Sequence, residues 1–448
     1  MKNVIIGTVL CLSLMMIAGC NKSNTEVTGQ GSTDFMSYGG AVFPLSLMTA
    51  NEGIAATRNI AFDFSYFGET GDEMPQMLHN DIRVADSYRL TNETTEDKTV
   101  TVIYPFASRF GDLERLLPSI TLGGTEIDTA LWVGGIMEIQ TWRDYEAYLS
   151  GGSYFGQAIT AVPELNRRVI VYEFTNAITD NREAIAPTLA ASFNMDFERT
   201  DVLTYGFNGT VFDPENSFMR KSFFLPHEPE RSHFLIILGD DISDFSLQGY
   251  GNGALSIGDE IDVTVDVRRF EAVLGDIWDE LIYDFTGGFA TDDWNSPHET
   301  MKTDLFRNAS AALLHDAQES DSVTRQIFSG SGLIEDLFSH TLWANRLFYL
   351  SADVVIPAGE SIVVNIDMIR PGSFDFHPAR RGNEGLNGYD MFIALGTNLV
   401  FGDVTAEIIG TDYIEVIRTN LGFSPDNSIF KVNLDIEVPI FYLEVRGV

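Results

Sequence analysis

The chain has 448 residues, with 65 acidic against 28 basic side chains and a formal charge of −37. That balance excludes nucleic acid as a partner and excludes attraction to anionic lipid by charge alone. Hydrophobic residues make up 44% and aromatic ones 12%, so the chain is globular, and its length is enough for two or three domains.

Met1 to Gly19 has the layout of an export signal. Lys2 gives a positive start and Val4 to Ala18 is uncharged, a length suited to a signal and short for a membrane span. The signal ends in Ile17-Ala18-Gly19-Cys20, a branched apolar residue and two small residues ahead of a cysteine. This resembles the lipobox of bacterial lipoproteins. The resemblance implies cleavage before Cys20 and acylation of its thiol by diacylglycerol, with palmitate among the chains. Two or more acyl chains hold a protein stably to a membrane where one does not. Cys11 leaves with the signal, so no disulfide within the mature chain is expected. Asn21 to Asp34 is polar and without apolar period, and residues 20–50 are read as the lipidated cysteine and a flexible tether.

Asn59 to Tyr66 alternates, with Ile60, Phe62, Phe64 and Tyr66 on one face, the pattern of a half-buried strand. Ile82 to Leu90 and Val100 to Phe106 alternate on either side of the polar Asn92 to Lys98, which reads as a β-hairpin. Ile120 to Ile127 reads as a second hairpin turning on Gly123-Gly124. Residues 51–165 are taken as one β-sandwich module. A second β-rich module is expected over 166–448, and Tyr172-Glu-Phe-Thr-Asn176 echoes Tyr88-Arg-Leu-Thr-Asn92. Its strands are Val202 to Phe207, Ser222 to Leu225, Phe234 to Leu238 and Ile261 to Val267. A helical insertion near 270–350 follows. Apolar residues at spacings of three and four predict helices over 270–285, 300–317 and 332–348, with their stripes in the core. Strands return at Val354 to Ile356, Ile362 to Ile366 and Phe430 to Val445. The whole is a mainly β chain with a helical block, an α+β fold of one or two antiparallel sandwiches and three amphipathic helices.

The run Tyr88-x-Leu-Thr-Asn92, a charged turn, then Val100-x-Val-x-Tyr-Pro-Phe106 is similar to extracellular lipoproteins of Gram-positive bacteria. Over 82–127 it is also similar to the β-sandwich of vault/inter-α-trypsin-type domains, from which the order Tyr104-Pro105-Phe106 departs. The resemblance implies a β-sandwich and no activity.

Motifs for chemistry fail on spacing. His227 and His233 are six apart with Pro229 between, where two zinc ligands on one helical face need four. Ser428-Ile-Phe-Lys431 fits the SxxK of penicillin-recognising enzymes but lies in an alternating strand with no Lys-Thr-Gly after it. Gln248 to Gly253 is glycine-rich without a strand-to-helix context, and reads as a turn. Asp240-Asp241-x-x-Asp244 and Asp292-Asp293-x-Asn295 offer oxygen ligands for Ca²⁺ without EF-hand spacing. No catalytic residue, cofactor or metal ligand is assigned, and Cys20, for lipid attachment, is the one site residue. The expected protein is a lipid-anchored lipoprotein on the extracellular face of the cell membrane. Its expected role is non-catalytic binding or interaction with the envelope. Its partners are the membrane, through the anchor, and an unknown protein or small ligand. The alternatives are an exported hydrolase with carboxylates assembled by the fold, and a transporter's solute-binding lipoprotein.

Overall fold

The computed structural model describes residues 34–67, 78–149, 159, 162–226, 231–253, 259–288, 304–319, 333–376, 383–423 and 430–448. Up to residue 165 the strands are β1 (Ala41–Val42), β2 (Ser46–Leu47), β3 (Ile54–Asp63), β4 (Asp81–Asn92), β5 (Lys98–Ser108), β6 (Ser119–Leu122), β7 (Thr125–Glu126) and β8 (Ala130–Ile136). Helices α1 (Leu113–Leu116) and α2 (Trp142–Leu149) lie among them. Next come β9 (Arg168–Ile178), β10 (Thr188–Asn194), β11 (Thr200–Tyr205), β12 (Gly209–Asp213), β13 (Phe218–Phe224), β14 (His233–Gly239), β15 (Ser243–Tyr250), β16 (Glu260–Ile261) and β17 (Thr264–Val273). Helices α3 (Leu274–Gly288), α4 (Phe306–Glu319) and α5 (Ile334–Trp343) follow. The chain closes with β18 (Arg346–Ile356), β19 (Ser361–Pro371), β20 (Leu386–Phe392), β21 (Phe401–Ile409), β22 (Ile414–Thr419), β23 (Lys431–Asn433) and β24 (Ile440–Gly447). The fold is mainly β with a helical block, as the sequence predicts.

Two compact units result. One takes Asn166–Ile277 and Asp316–Asp336; the other takes Ser32–Leu165, Trp278–His315 and Leu337–Val448. The first is a sandwich of sheets β11-β14-β9-β17 and β12-β13-β10-β15-β16. Alternate residues of both sheets, including Phe174, Leu189, Phe193, Phe223, Leu235 and Ile237, share one apolar core.

The second unit holds a seven-stranded sheet, β23-β21-β3-β4-β19-β6-β7, and two four-stranded sheets, β1-β20-β24-β22 and β2-β5-β18-β8. A second module running unbroken from 166 to 448 is therefore not what the pairing gives, because β18, β19 and β21 pair with β5, β4 and β3. The stretch expected as tether up to residue 50 also contributes here: Phe35, Ala41, Phe43, Leu45 and Leu47 are buried.

The expected hairpin of 82–106 is corrected. β4 pairs with β3 and β19, while β5 pairs with β2 and β18, so the polar turn carries the chain from one sheet to another. Alternation identifies a strand but not its partner. The turn between β18 and β19 makes the same crossing. The two arches lie side by side, with Asn92 N donating to Glu360 O and Gly359 N donating to Thr94 O. Asn92 Nδ2 donates to Glu96 O and to Ile356 O, and its Oδ1 accepts from Thr94 N. The echoed Asn176 does something else: it has φ 53° and donates to Asp266 beside a register shift in β17. The Gly123-Gly124 hairpin forms as expected, both glycines at positive φ.

Two helix limits also move. β17 runs to Val273, in register with β9, so α3 starts at Leu274 rather than 270. α5 ends at Trp343, not 348, because Arg346 to Leu350 join β5 and β8 in ladders. A short apolar run fits both periods, and the ladder decides. The stripes expected in the core are there in large part: Leu274, Ile277, Trp278, Leu281, Ile282, Phe285, Ala309, Leu313, Ile334, Leu337, Phe338 and Leu342 are buried, while Val273 is exposed and Leu305 and Ala312 are half-buried.

One ion pair sits at the centre of the second unit. Arg58 of β3 and Asp86 of β4 are both fully buried. Arg58 Nε and Nη2 donate to Asp86 Oδ1 (2.8 Å) and Oδ2 (2.7 Å), and Nη1 donates to Phe392 O (2.6 Å). Asp86 Oδ2 also accepts from Tyr88 Oη (2.6 Å) and Tyr104 Oη (3.4 Å). Burial alone would lower the Arg58 pKa, but the Asp86 carboxylate holds it above its ordinary value. Burial pushes the Tyr88 and Tyr104 hydroxyls well up, so both remain protonated donors. Removing one partner of such a pair strands a buried charge, so Arg58→Met or Asp86→Leu is expected to cost about 3–5 kcal/mol in urea denaturation. Arg58→Met/Asp86→Leu together should recover part of that loss; a double variant as unstable as the sum of the singles would refute the coupling.

Candidate functional site

The residues singled out by sequence fall apart spatially. Cys20, His227, Ser428, Asp292, Asp293 and Asn295 lie outside the described residues. His233 is a core side chain on β14, stacked on Phe223 with ring centroids 3.7 Å apart. Burial and the Arg231 charge bring its pKa down to about 4, so it is neutral at physiological pH. Lys431 is on β23 and pairs with Glu407 at the surface (3.1 Å). The turn expected over Gln248 to Gly253 is corrected: Gln248 to Tyr250 end β15, and beyond them Gly251 N donates to Asp259 O and Gly253 N to Ala186 O, so the chain stays bonded to its neighbours.

The acidic run at 240–244 is divided among separate partners. Asp240 pairs with Arg199 (2.7 Å). Asp241 accepts from Tyr172 Oη (3.0 Å), Ile242 N (2.8 Å) and the Arg269 guanidinium (2.7 Å). Asp244, at φ 51°, accepts from Asn194 Nδ2 (2.7 Å). The arginines supply the countercharge a cation would otherwise supply. Among the described residues, no group of three or more His, Cys, Asp or Glu is placed to hold a metal ion. No helix among them is long and apolar enough to cross a membrane.

The charges that the fold buries belong to none of these motifs. In the first unit Lys221 shares a face of β13 with Met219 and Phe223 and is 1% exposed. Its Nζ donates to Thr210 Oγ1 (3.0 Å), and burial brings its pKa down to about 7. Nearby in that unit Gly206 N donates to Glu335 Oε1. Gly206 has φ 84°, and a Cβ there would come within 2.5 Å of the His233 ring. Burial raises the carboxyl pKa of Glu335 and of Asp336.

In the second unit Arg346 opens β18 between β5 and β8, opposite Ser108 and Ile136. It is 1% exposed. Nη1 donates to Gly134 O (3.0 Å), and the guanidinium carbon lies 5.7 Å from the Phe110 ring centroid. Nε and Nη2 are buried with no hydrogen-bond partner among the described residues. Burial brings the pKa down to about 10, which leaves the group a cation at neutral pH. Tyr148 of α2 and His340 of α5 both lie within its field. Desolvation raises Tyr148 while Arg346 opposes it, and desolvation and Arg346 together lower His340 against the opposing charge of Glu138. Among the described residues, a buried cation with two donors left unused is an arrangement suited to holding an acceptor from outside the protein.

A sequence signal for these residues exists. Arg58 continues the apolar face of Ile60, Phe62 and Phe64; Asp86 falls between Val84 and Tyr88; Lys221 falls between Met219 and Phe223. In each case a charge occupies an apolar phase of a period-two pattern.

Lys221 binds its proton more weakly folded, at about 7, than at the ordinary 10.5. Between those values the unfolded chain holds more protons, so stability rises with pH from about 7 toward 10.5, and the full cost is felt below 7. Lys221→Met is expected to abolish that rise in denaturation curves taken from pH 6 to 10 and to stabilise the protein most at the acid end. The Arg-paired Asp240 to Asp244 turn predicts that Ca²⁺ leaves the melting temperature unchanged. A rise of several degrees that Asp241→Asn removes would show that the turn binds the ion.

No known family profile matches the chain, and no curated protein matches it. Among solved structures it is similar to a protein of Legionella pneumophila subsp. pneumophila for which a nutrient-binding role has been suggested. The similarity has 10% identity and a TM-score of 0.29 and covers 92% of this chain and 72% of that one. At that TM-score the likeness carries no argument about fold or role.

Proposed function

We propose that the protein is a bacterial lipoprotein held on the extracellular face of the cell membrane by acylation of Cys20, with a non-catalytic binding role there. The observation that carries this reading is Ile17-Ala18-Gly19-Cys20, at the end of an uncharged run too short to span a bilayer. The net charge of −37 is in keeping with a surface kept soluble outside the cell and away from nucleic acid. The partners are the membrane, through the lipid, and a protein or small ligand met in the envelope. Capture of a solute for a transporter is a narrower form of the same reading.

Two observations support binding over hydrolysis. Among the described residues, the carboxyls whose pKa burial raises are Glu335 and Asp336. They are sequence neighbours in the first turn of α5, and adjacent residues on a helix diverge rather than face each other across a substrate. The buried carboxylate of Asp86 is paired with Arg58, and that network joins strands and so holds the sheets together. Cys20→Ser is expected to abolish incorporation of labelled palmitate and to release the protein into the medium. Unchanged labelling with retention at the membrane would remove the anchor from the proposal.

A further inference from the structure

We propose that Arg346 is the anchor of a binding site for a carboxylate-bearing ligand, gripped through its Nε and Nη2 edge. The template is within the same unit. Arg58 is also buried, and it gives Nη1 to a backbone carbonyl and Nε and Nη2 to the two oxygens of one carboxylate, at 2.8 and 2.7 Å. Arg346 gives Nη1 to the Gly134 carbonyl in the same way, and its Nε and Nη2 have no protein acceptor among the described residues. The exposed Arg269 also turns Nε and Nη2 to a carboxylate, although both reach the single oxygen Oδ2 of Asp241 (3.0 and 2.7 Å). Two parallel donors on one planar edge match a planar two-oxygen acceptor, which is why guanidinium–carboxylate pairs are so often bidentate.

The energetic argument points the same way. A buried charge without a counterion is among the most costly features a fold can carry, and one left uncompensated is unusual. The groups shown against the guanidinium are an aromatic ring and backbone, with His340, which also feels the charge of Glu138, in its field. Phe110 lies under the guanidinium, and Gly134 and Gly135 bring backbone rather than side chain to it. A Cβ on Gly134 would stand 3.2 Å from Tyr349 Oη, and one on Gly135 would stand 3.4 Å from Tyr148 Oη. The two tyrosine hydroxyls thus close on Gly134, whose carbonyl holds Arg346, and on its neighbour Gly135. An acid there would neutralise the arginine from within; a carboxylate arriving as a ligand would do so from without. The inference goes beyond the anchoring reading and does not depend on Cys20.

The test is thermal melting of the purified protein in formate, acetate or benzoate, against chloride at equal ionic strength. At least one carboxylate is expected to raise the melting temperature saturably, by several degrees at about 100 times its Kd. Arg346→Met should lose that rise and, in chloride, melt at or above the wild type, since its unpaired charge is gone. Arg346→Lys keeps the charge without the fork and should show a reduced shift. Broadening of the resonance of ¹³C-labelled acetate by the wild-type protein, reversed by unlabelled acetate, gives a readout that needs no variant. No shift and no broadening with any carboxylate, or an equal shift in Arg346→Met, overturns the site. So does an Arg346→Met protein that melts far below the wild type in chloride or fails to fold, because the fold itself then uses that charge. A larger shift from phosphate than from every carboxylate overturns the ligand class.

Discussion

The pairing of Arg58 with Asp86 is the constraint on which the second unit depends. One guanidinium draws together a carboxylate from β4, the carbonyl of Phe392 in β20 and that of Phe43 beyond β1. The carboxylate in turn collects hydroxyls from β4 and from β5, which lies in a different sheet. Three sheets therefore share one buried charge pair. Apolar packing would tolerate small shifts between them; a charge pair satisfied on every side does not, because any slip leaves a donor or acceptor dry. Burial this complete makes such a pair a weak source of net stability and a strong source of register. The stacked arches work to the same end. Each fixes the step from one sheet to the other, and the Asn92 amide ties the two turns to each other.

Arg58 and Arg346 pose the same physical problem with different outcomes. Both lie on strands with apolar neighbours, and both are sealed from solvent. One is matched atom for atom by the protein, and the other is matched, among the described residues, on one nitrogen of three. Such a difference marks where a fold has finished its own electrostatics and where it has left them open. Lys221, in the other unit, meets the problem in a third way. With no guanidinium resonance to hold its proton, burial brings it close to neutrality at physiological pH.

The sequence was a good guide to strands and helices and a poor one to partners. Alternation around Phe62, Val84, Val102 and Ile366 locates strands, because burial of one face imposes a period of two. It cannot say that β4 lies beside β19 rather than β5, since an arch and a hairpin are written with the same polar turn. Helix limits failed where apolar runs such as Leu347 to Leu350 satisfy both periods. The buried charges were legible in principle, as Arg58 and Asp86 each interrupt an apolar face, but a search for known motifs does not look for interruptions. The unfilled edge of Arg346 was not legible at all. Whether a guanidinium finds a carboxylate is decided by which strands meet in space.

The division of the chain has a consequence for the order in which the protein is made. The second unit begins with β1 to β8 and is completed only by strands from residue 346 onward, with the first unit between them in sequence. A chain emerging from its N-terminus therefore presents β3, β4 and β5 long before β21, β19 and β18 exist to cover them. The sandwich from 166 to 277 has almost all of its sequence in hand by then. Meanwhile Arg58 and Asp86 meet early, on adjacent strands, while the carbonyl of Phe392 arrives last. The early half thus waits with open sheet edges, the state in which strand-rich chains aggregate. The longer that interval, the longer those edges stay open to pairing with a second chain.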